Sequence, residues 1–274
     1  MLDKLTKNNR MRIRKIRKIE KETPTIKTFY FKDDLCAKAE PGQFVMLWIP
    51  GIDEIPLSLS GTYLKNEVSV TVAKVGEATS HLHQMKVNDF IGIRGPFGNS
   101  FKISKGKVLL VGGGTGIAPL AFLAQKLVKT SQKIKFLMGA KTKSELLFLE
   151  RIKKILGGNG KVVATTEDGS FGFKGKVLNP LEHLLKNEDF DIIYTCGPEQ
   201  MIKHVLLTAQ KYGIEVQASL ERIMRCAIGI CGSCVIGKYR VCKDGPVFSK
   251  SQLEEMLNEL AIFKRNFDGT KEKI

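Results

Sequence analysis

A chain of 274 residues is long enough for two domains and a small appendage, and no apolar run in it approaches the roughly 20 residues of a membrane-spanning helix. Its net charge is +16, from 44 Lys and Arg against 28 Asp and Glu, which invites a nucleic-acid reading. Yet the basic residues are spread along the chain, so the charge fits phosphorylated cofactors or an acidic partner equally well and decides nothing alone.

Only Arg10 to Lys21 is densely basic, and Met11, Ile13, Ile16 and Ile19 interleave with it, which reads as the solvated face of a first strand. The basic N-terminus, Met1 to Lys21, lacks the apolar core of a secretory signal, so a cytoplasmic location without membrane or nucleic-acid partners is expected. From Met11 to about Phe101 short strand signals follow one another at Thr25–Lys32, Gln43–Ile49, Glu67–Val75 and Asp89–Arg94. Pro41-Gly42, Pro50-Gly51, Lys65-Asn66 and Gly95-Pro96-Phe97-Gly98 punctuate them. Strands at this spacing predict a small antiparallel barrel.

At Lys107 the texture changes. Val108–Val111 is a buried-strand run, and Gly112-Gly113-Gly114-Thr115-Gly116-Ile117-Ala118-Pro119 opens a helix that runs to about Lys129. Strands at Ile134–Met138, Lys161–Thr165 and Ile192–Thr195 alternate with helices at Lys143–Leu156, Val177–Lys186 and Pro198–Tyr212. Such alternation predicts a doubly wound parallel sheet, whose first strand-to-helix turn is where a nucleotide diphosphate can approach the backbone. The turn is neither the G-x-G-x-x-G fingerprint nor a P-loop, so alone it is also compatible with a tight structural turn. A second loop, Thr195-Cys196-Gly197-Pro198, again sets a Gly beyond a strand and a Pro at a helix start, and two such loops at one sheet edge make a cleft.

Four of the six cysteines then fall in one Gly-rich stretch, Cys226, Cys231, Cys234 and Cys242, a C-x4-C-x2-C-x7-C array. A zinc ribbon presents two C-x2-C knuckles, whereas C-x4-C-x2-C with a more distant fourth Cys is the plant-ferredoxin spacing of a [2Fe–2S] cluster. Structural zinc and a disulfide pair are the alternatives. Beyond Phe248, Ser249–Phe263 reads as an amphipathic helix with Leu253, Met256, Leu257, Leu260 and Ala261 on one stripe, and Lys264–Ile274 as a loose tail.

The order barrel, Gly-Gly-Gly-Thr-Gly-Ile-Ala-Pro-Leu (112–120) and Cys-Gly-Pro-Glu-Gln-Met (196–201) resembles the ferredoxin–NADP reductase superfamily. The stretch Ser219-Leu-Glu-Arg-Ile-Met-Arg-Cys226 through Cys234, with Val241-Cys242-Lys-Asp-Gly-Pro-Val-Phe248 behind it, is similar to the iron–sulfur electron-transfer subunits of NAD-dependent dihydroorotate dehydrogenases. The resemblance spans about Met11 to Phe248. It implies a flavin-binding barrel at 1–102 with 1–10 as an extension, a NAD-binding α/β domain at 103–218, a [2Fe–2S] domain at 219–248, and a helix and tail at 249–274.

Carried over residue by residue, the resemblance makes Cys226, Cys231, Cys234 and Cys242 the cluster ligands. The family's Arg-Pro-x-Ser flavin segment corresponds to Ile55-Pro56-Leu57-Ser58 and its later Gly-Thr pair to Ala78-Thr79. Ile55 and Ala78 depart from that pattern, which leaves the FAD phosphates in want of a cation; Lys74, in Val72-Ala73-Lys74, is the candidate. Gly113, Gly114, Thr115 and Gly116 would hold the NAD diphosphate, Cys196, Gly197 and Pro198 would meet the nicotinamide, and the acidic Asp168 favours NAD over NADP. The gap between Cys234 and Cys242 is shorter than the family's, consistent with a trimmed loop.

The implied role is electron transfer from the FMN of a catalytic partner, as two plus two subunits, through [2Fe–2S] and FAD to NAD+ in pyrimidine biosynthesis. No dihydroorotate site is recognised in the chain itself. Similar subunits serve sulfide dehydrogenases, ferredoxin–NADP reductases and hydrogenases. A redox-sensing iron–sulfur regulator and a zinc-stabilised nucleic-acid binder are the alternatives outside that class.

Overall fold

The computed structural model describes residues 2–266 and 269–274. Helix α1 (Leu2–Asn9) precedes strands β1 (Arg12–Lys21), β2 (Ile26–Lys32), β3 (Phe44–Ile49), β4 (Asp53–Thr62), β5 (Glu67–Ala73) and β6 (Phe90–Phe97), with helix α2 (Glu77–Gln84) between the last two. The strands close into an antiparallel barrel in the order β1-β2-β5-β4-β3-β6. Val45, Leu47 and Ile49 of β3, Val68, Val70 and Val72 of β5, and Ile91 and Ile93 of β6 recur every second residue. All are buried in one core, as the two-residue period of a strand requires.

Three elements of this half went unanticipated, α1, α2 and β4, and β4 is the one that makes the site. Among the described residues its first part, Asp53–Ser58, pairs with β3 alone, and its second part, Leu59–Thr62, pairs with β5 across a bulge between Leu59 and Gly61. Asp53–Ser58 therefore presents an edge unpaired by any strand, where the missing N–H of Pro56 costs no ladder bond. Thr71–Ala73 of β5 lies on the other side of this opening, bonded through β2.

The second half is a seven-stranded sheet in the order β10-β9-β8-β7-β11-β12-β15. Its strands are β7 (Lys107–Gly113), β8 (Lys133–Ala140), β9 (Gly160–Thr166), β10 (Phe173–Lys174), β11 (Ile192–Cys196), β12 (Glu215–Ser219) and β15 (Val247–Ser249). All run parallel except β15, which pairs antiparallel with β12. The chain winds outward from β7 through β8 to β10, then returns to lay β11 on the other flank of β7. That reversal makes a topological switch point between β7 and β11, where open α/β sheets bind ligands. The helices are α3 (Ile117–Leu127), α4 (Leu149–Leu156), α5 (Asn179–Asn187) and α6 (Glu199–Lys211). The helix expected over Lys143–Leu156 is shorter: α4 begins only after Phe148, whose φ of 60° is left-handed and breaks any continuous run.

Between β12 and β15 the cysteine stretch forms a loop with a hairpin of β13 (Val235–Ile236) and β14 (Tyr239–Arg240) and one turn of helix, α7 (Val241–Asp244). The C-terminal expectation needs correction. Helix α8 covers only Lys250–Glu255, capped by Ser249, and turns follow it to Ile262. The expected loose tail is instead an antiparallel hairpin, β16 (Phe263–Arg265) with β17 (Lys271–Lys273), with Phe267 and Asp268 outside the described residues. Among the described residues no helix is long and apolar enough to cross a membrane.

The halves share cores. Phe122 of α3 is buried with the barrel residues, Phe44, Met46 and Phe97 of the barrel are buried with Cys234, Val241 and Phe248, and Val247 is buried with β7 and β8. The edge strand β15 thus ties the cysteine loop to the sheet.

Candidate functional site

Barrel opening and sheet edge face each other across a cleft of about 990 Å³. Of the residues expected to hold flavin, Ile55, Pro56, Leu57, Ser58, Val72, Ala73 and Thr79 line it. Two do not: Lys74 is exposed beyond the lining, and Ala78 packs toward the barrel core. The Thr79 hydroxyl accepts from the N–H groups of Val75 and Gly76, both at 2.9 Å, and so shapes the turn that opens α2 toward the cleft.

On the sheet side Thr115 lines the cleft with Ala118 and Pro119. Gly113, Gly114 and Gly116 form the turn that carries it, and this turn lies against the second expected loop. A Cβ on Gly116 would sit 2.3 Å from the Cys196 carbonyl oxygen and 2.5 Å from the Gly197 nitrogen. One on Gly113 would meet Pro198 and Met201. The two loops are therefore in backbone contact at the switch point, an approach that only glycine permits. Cys196 is fully buried beneath them, and burial, with a contribution from Glu221, pushes its thiol up, so it is a neutral packing group. Asp168 stands on the exposed turn after β9, its Oδ1 accepting from the Ser170 hydroxyl at 2.7 Å and N–H at 2.9 Å; these bonds hold its carboxyl below the usual range.

The cysteines form two facing pairs. Cys226 faces Cys231, and the Cys226 sulfur also accepts from the N–H groups of Ile230 at 3.3 Å and Cys231 at 3.5 Å. Burial pulls this thiol up, but the N–H groups of Cys231, Ile228 and Ile230 outweigh it and bring it down to about 7. Cys234 faces Cys242; the Cys242 thiol's hydrogen bond brings Cys234 down to about 7 against burial, and the Cys242 thiol is pushed up in turn. Among the described residues no three His, Cys, Asp or Glu side chains gather about one point, as a single ion needs. Two thiol pairs sharing one loop, with N–H groups aimed at sulfur, suit a two-iron cluster, which takes two thiolates per iron. Gly229 at φ +81° and Gly232 at φ +76° give the loop its reversals. Cys234 and Cys242 are buried, while Cys231 and its neighbour Ile230, the latter 78% exposed, are at the surface.

Leu220–Arg225 forms a third wall of the cleft, with Lys264 and Arg265 of the C-terminal hairpin beside it. The sequence marks Leu220–Arg225 only as part of the resemblance and gives none of these residues a place in the cleft. The available signal was three charged residues, Glu221, Arg222 and Arg225, placed between a strand and the first cluster cysteine. Arg222 is nearly buried and pairs with Glu199 of α6. The Glu199 Oε2 also accepts from the Ala261 N–H at 2.9 Å, Arg222 Nη2 donates to the Phe263 carbonyl at 3.0 Å, and Gln200 Nε2 donates to the Ala261 carbonyl at 2.9 Å. Burial pushes the Glu199 carboxyl up in spite of Arg222. Glu221 opens into the cleft between protein walls, where enclosure and the charge of Glu199 push its carboxyl up as well.

Comparison with known proteins follows the same division. Residues 221–254 match the family described as the iron-sulfur cluster binding domain of dihydroorotate dehydrogenase B, and residues 110–206 match the oxidoreductase NAD-binding domain. A probable dihydroorotate dehydrogenase B (NAD(+)) electron transfer subunit of Methanocaldococcus jannaschii is 45% identical over 259 residues, covering 94% of this chain and 96% of the relative. The protein of the same description from Pyrococcus horikoshii is 44% identical over 244 residues, covering 89% and 91%. Among solved structures, a chain of an NADH-dependent reduced ferredoxin-NADP oxidoreductase, described in the context of flavin-based electron bifurcation, superposes with a TM-score of 0.81 at 32% identity. That match covers 90% of this chain and 92% of the other. A ferredoxin NADP+ reductase from Neisseria gonorrhoeae with bound FAD and NADP, 19% identical with a TM-score of 0.63 over 74% of this chain and 92% of the other, shares the fold.

Proposed function

The chain belongs to the family of dihydroorotate dehydrogenase B electron-transfer subunits, and from that premise we propose that it carries electrons from a catalytic subunit, where dihydroorotate is oxidised to orotate at FMN, to NAD+ in pyrimidine biosynthesis. The overall balance is dihydroorotate plus NAD+ giving orotate, NADH and a proton. Bound FAD supplies the conversion between the single electrons of a [2Fe–2S] cluster and the hydride of a nicotinamide.

The chain's own part is placement. Ile55–Leu57, Val72 and Ala73 give one apolar wall for a flavin, with Ser58 beside them, and Thr79 shapes the α2 turn at its end. The glycine turn 113–116 brings backbone N–H groups and the start of α3 to a NAD diphosphate, with Cys196–Pro198 beside it. Asp168, held ionised, accepts from a ribose hydroxyl and repels a 2′-phosphate, which favours NAD over NADP. Cys226, Cys231, Cys234 and Cys242 hold the cluster. The observation that carries the reading is continuity: Arg225 on the cleft wall is followed directly by Cys226, so the cluster loop begins where the flavin cleft ends. The exposed Ile230–Cys231 edge is then the face toward the catalytic subunit. A two-plus-two assembly, a cytoplasmic location and the domain limits 1–102, 103–218, 219–248 and 249–274 complete the proposal.

An anaerobic NADH titration, followed by absorption and electron paramagnetic resonance together, tests it. Flavin bleaching with the appearance of a reduced [2Fe–2S] signal is expected; a colourless protein, or a cluster that NADH cannot reduce, would sink it. The likeness to the ferredoxin-NADP oxidoreductase chain supports a second reading, a subunit of that kind of complex. The two part on the partner that restores turnover: an FMN subunit making NADH from dihydroorotate, or one that needs reduced ferredoxin and NADP+.

A further inference from the structure

We propose that the C-terminal hairpin is part of the flavin site, with Lys264 and Arg265 holding the diphosphate of FAD; this rests on the reading that the cleft holds FAD. A diphosphate brought into a cleft loses water that cationic donors must replace. The barrel lining supplies none, since its charged members are Asp53 and Glu54, and the sheet edge supplies Thr115, Ala118 and Pro119. Every cation on the lining comes from the C-terminal quarter: Arg222, Arg225, Lys264 and Arg265. Arg222 is already matched by Glu199. Lys74 lies outside the lining.

The hairpin residues are placed and partly unspent. Arg265 donates from Nη1 to the Gly269 carbonyl at 3.0 Å, but its Nε is buried with no hydrogen-bond partner among the described residues, a donor that a phosphate oxygen would satisfy. Among the described residues Lys264 pairs with Glu272, 3.5 Å away across the hairpin in a half-exposed pair, which holds it weakly. The arm that carries them is fixed before any ligand arrives. Arg222 grips the Phe263 carbonyl, Ile274 N–H donates to the Ile262 carbonyl at 2.9 Å, and Glu199 and Gln200 hold Ala261. The other dinucleotide, NAD, has its own diphosphate position at the glycine turn, so these cations fall to FAD.

The test is a titration of the flavin-stripped full-length protein with FAD and with riboflavin, which lacks phosphate, followed by flavin fluorescence in low and high salt. Wild type, K264A/R265A, K264E and R265K are compared, with circular dichroism as the check on folding. Loss of one or two charge-assisted bonds should weaken FAD about 10- to 100-fold in K264A/R265A and flatten its salt dependence, with riboflavin unchanged. The charge-keeping R265K should recover most of the affinity, and K264E, at a half-exposed position where the fold has little at stake, should weaken FAD alone. FAD affinity within twofold of wild type in both K264A/R265A and K264E, or riboflavin weakened as much as FAD in the folded K264E protein, overturns the proposal. Wild type that takes up no FAD overturns the cofactor reading itself, a separate result.

Discussion

The two walls that face each other across the cleft are built by opposite means. At the sheet edge, Gly113–Gly116 and Cys196–Pro198 meet backbone to backbone, with no side chain between them and a buried, neutral thiol below. On the C-terminal wall, Leu220–Arg225 and the hairpin are held by charges: Glu199 to Arg222 and to the Ala261 N–H, Arg222 to the Phe263 carbonyl. The first wall depends on the absence of atoms and the second on their pairing, so each breaks under a different substitution.

The largest effect is expected from Arg222→Met. It leaves Glu199 buried without its counter-charge, and removing one partner of a buried ion pair costs about 3–5 kcal/mol. Burial already pushes the Glu199 carboxyl up, so the variant can relieve itself by taking a proton. A carboxyl raised in the folded state contributes stability that is present in acid and lost as pH rises through its folded value. The loss should therefore be greater at pH 8 than at pH 5, and the double variant E199Q/R222M should recover part of it. Urea unfolding at the two pH values checks this; an equal cost at both would mean that the pair is not what holds the wall.

Gly116→Val attacks the other wall and should cost less, about 1–3 kcal/mol, because the two loops can shift apart to admit a side chain whose Cβ would otherwise lie 2.3 Å from the Cys196 carbonyl oxygen. The functional signature differs too. NADH binding should weaken, by calorimetric titration, while the iron–sulfur absorption stays, because the cluster cysteines are carried by a different loop, between β12 and β15. Loss of the cluster signal in this variant would show that the walls are not independent.

The same contrast explains what could be read from the chain. The sheet edge is legible because close backbone approach demands glycine, and Gly112–Gly116 and Gly197 stand at strand ends where the alternation of strand and helix locates them. The cysteine array is legible because ligand spacing is chemistry written in order. Strand β4 is not, because Pro56 in a run of Asp53, Glu54 and Ile55 argues against a strand. It is admitted only because the barrel leaves that edge unpaired, a fact of tertiary structure. Strand β15 has three residues and a partner about thirty positions away, too short for any period. The hairpin β16–β17 is charged and mostly exposed, so nothing in its pattern separates it from a solvated tail; its order comes from Glu199 and Arg222, distant in sequence. Charge pairing leaves no periodicity, which is why the C-terminal wall was missed.

Glu221→Gln sharpens the comparison with the smallest effect, because it changes one charge on the paired wall and no volume. Enclosure and the neighbouring Glu199 push the Glu221 carboxyl up, so its ionisation costs the fold something as pH rises from the ordinary glutamate range through its raised value. The amide carries no such cost. Wild type should therefore lose stability relative to E221Q between pH 5 and pH 8, by well under about 1 kcal/mol, since the carboxyl opens into the water of the cleft and is screened there. Parallel pH profiles for the two proteins in urea unfolding would remove Glu221 from the account. Filling the cleft displaces that water, so with FAD bound the gap between the two profiles should widen. A gap that stays the same would place the carboxyl outside the space the flavin occupies, and with it the part of the C-terminal wall that carries it.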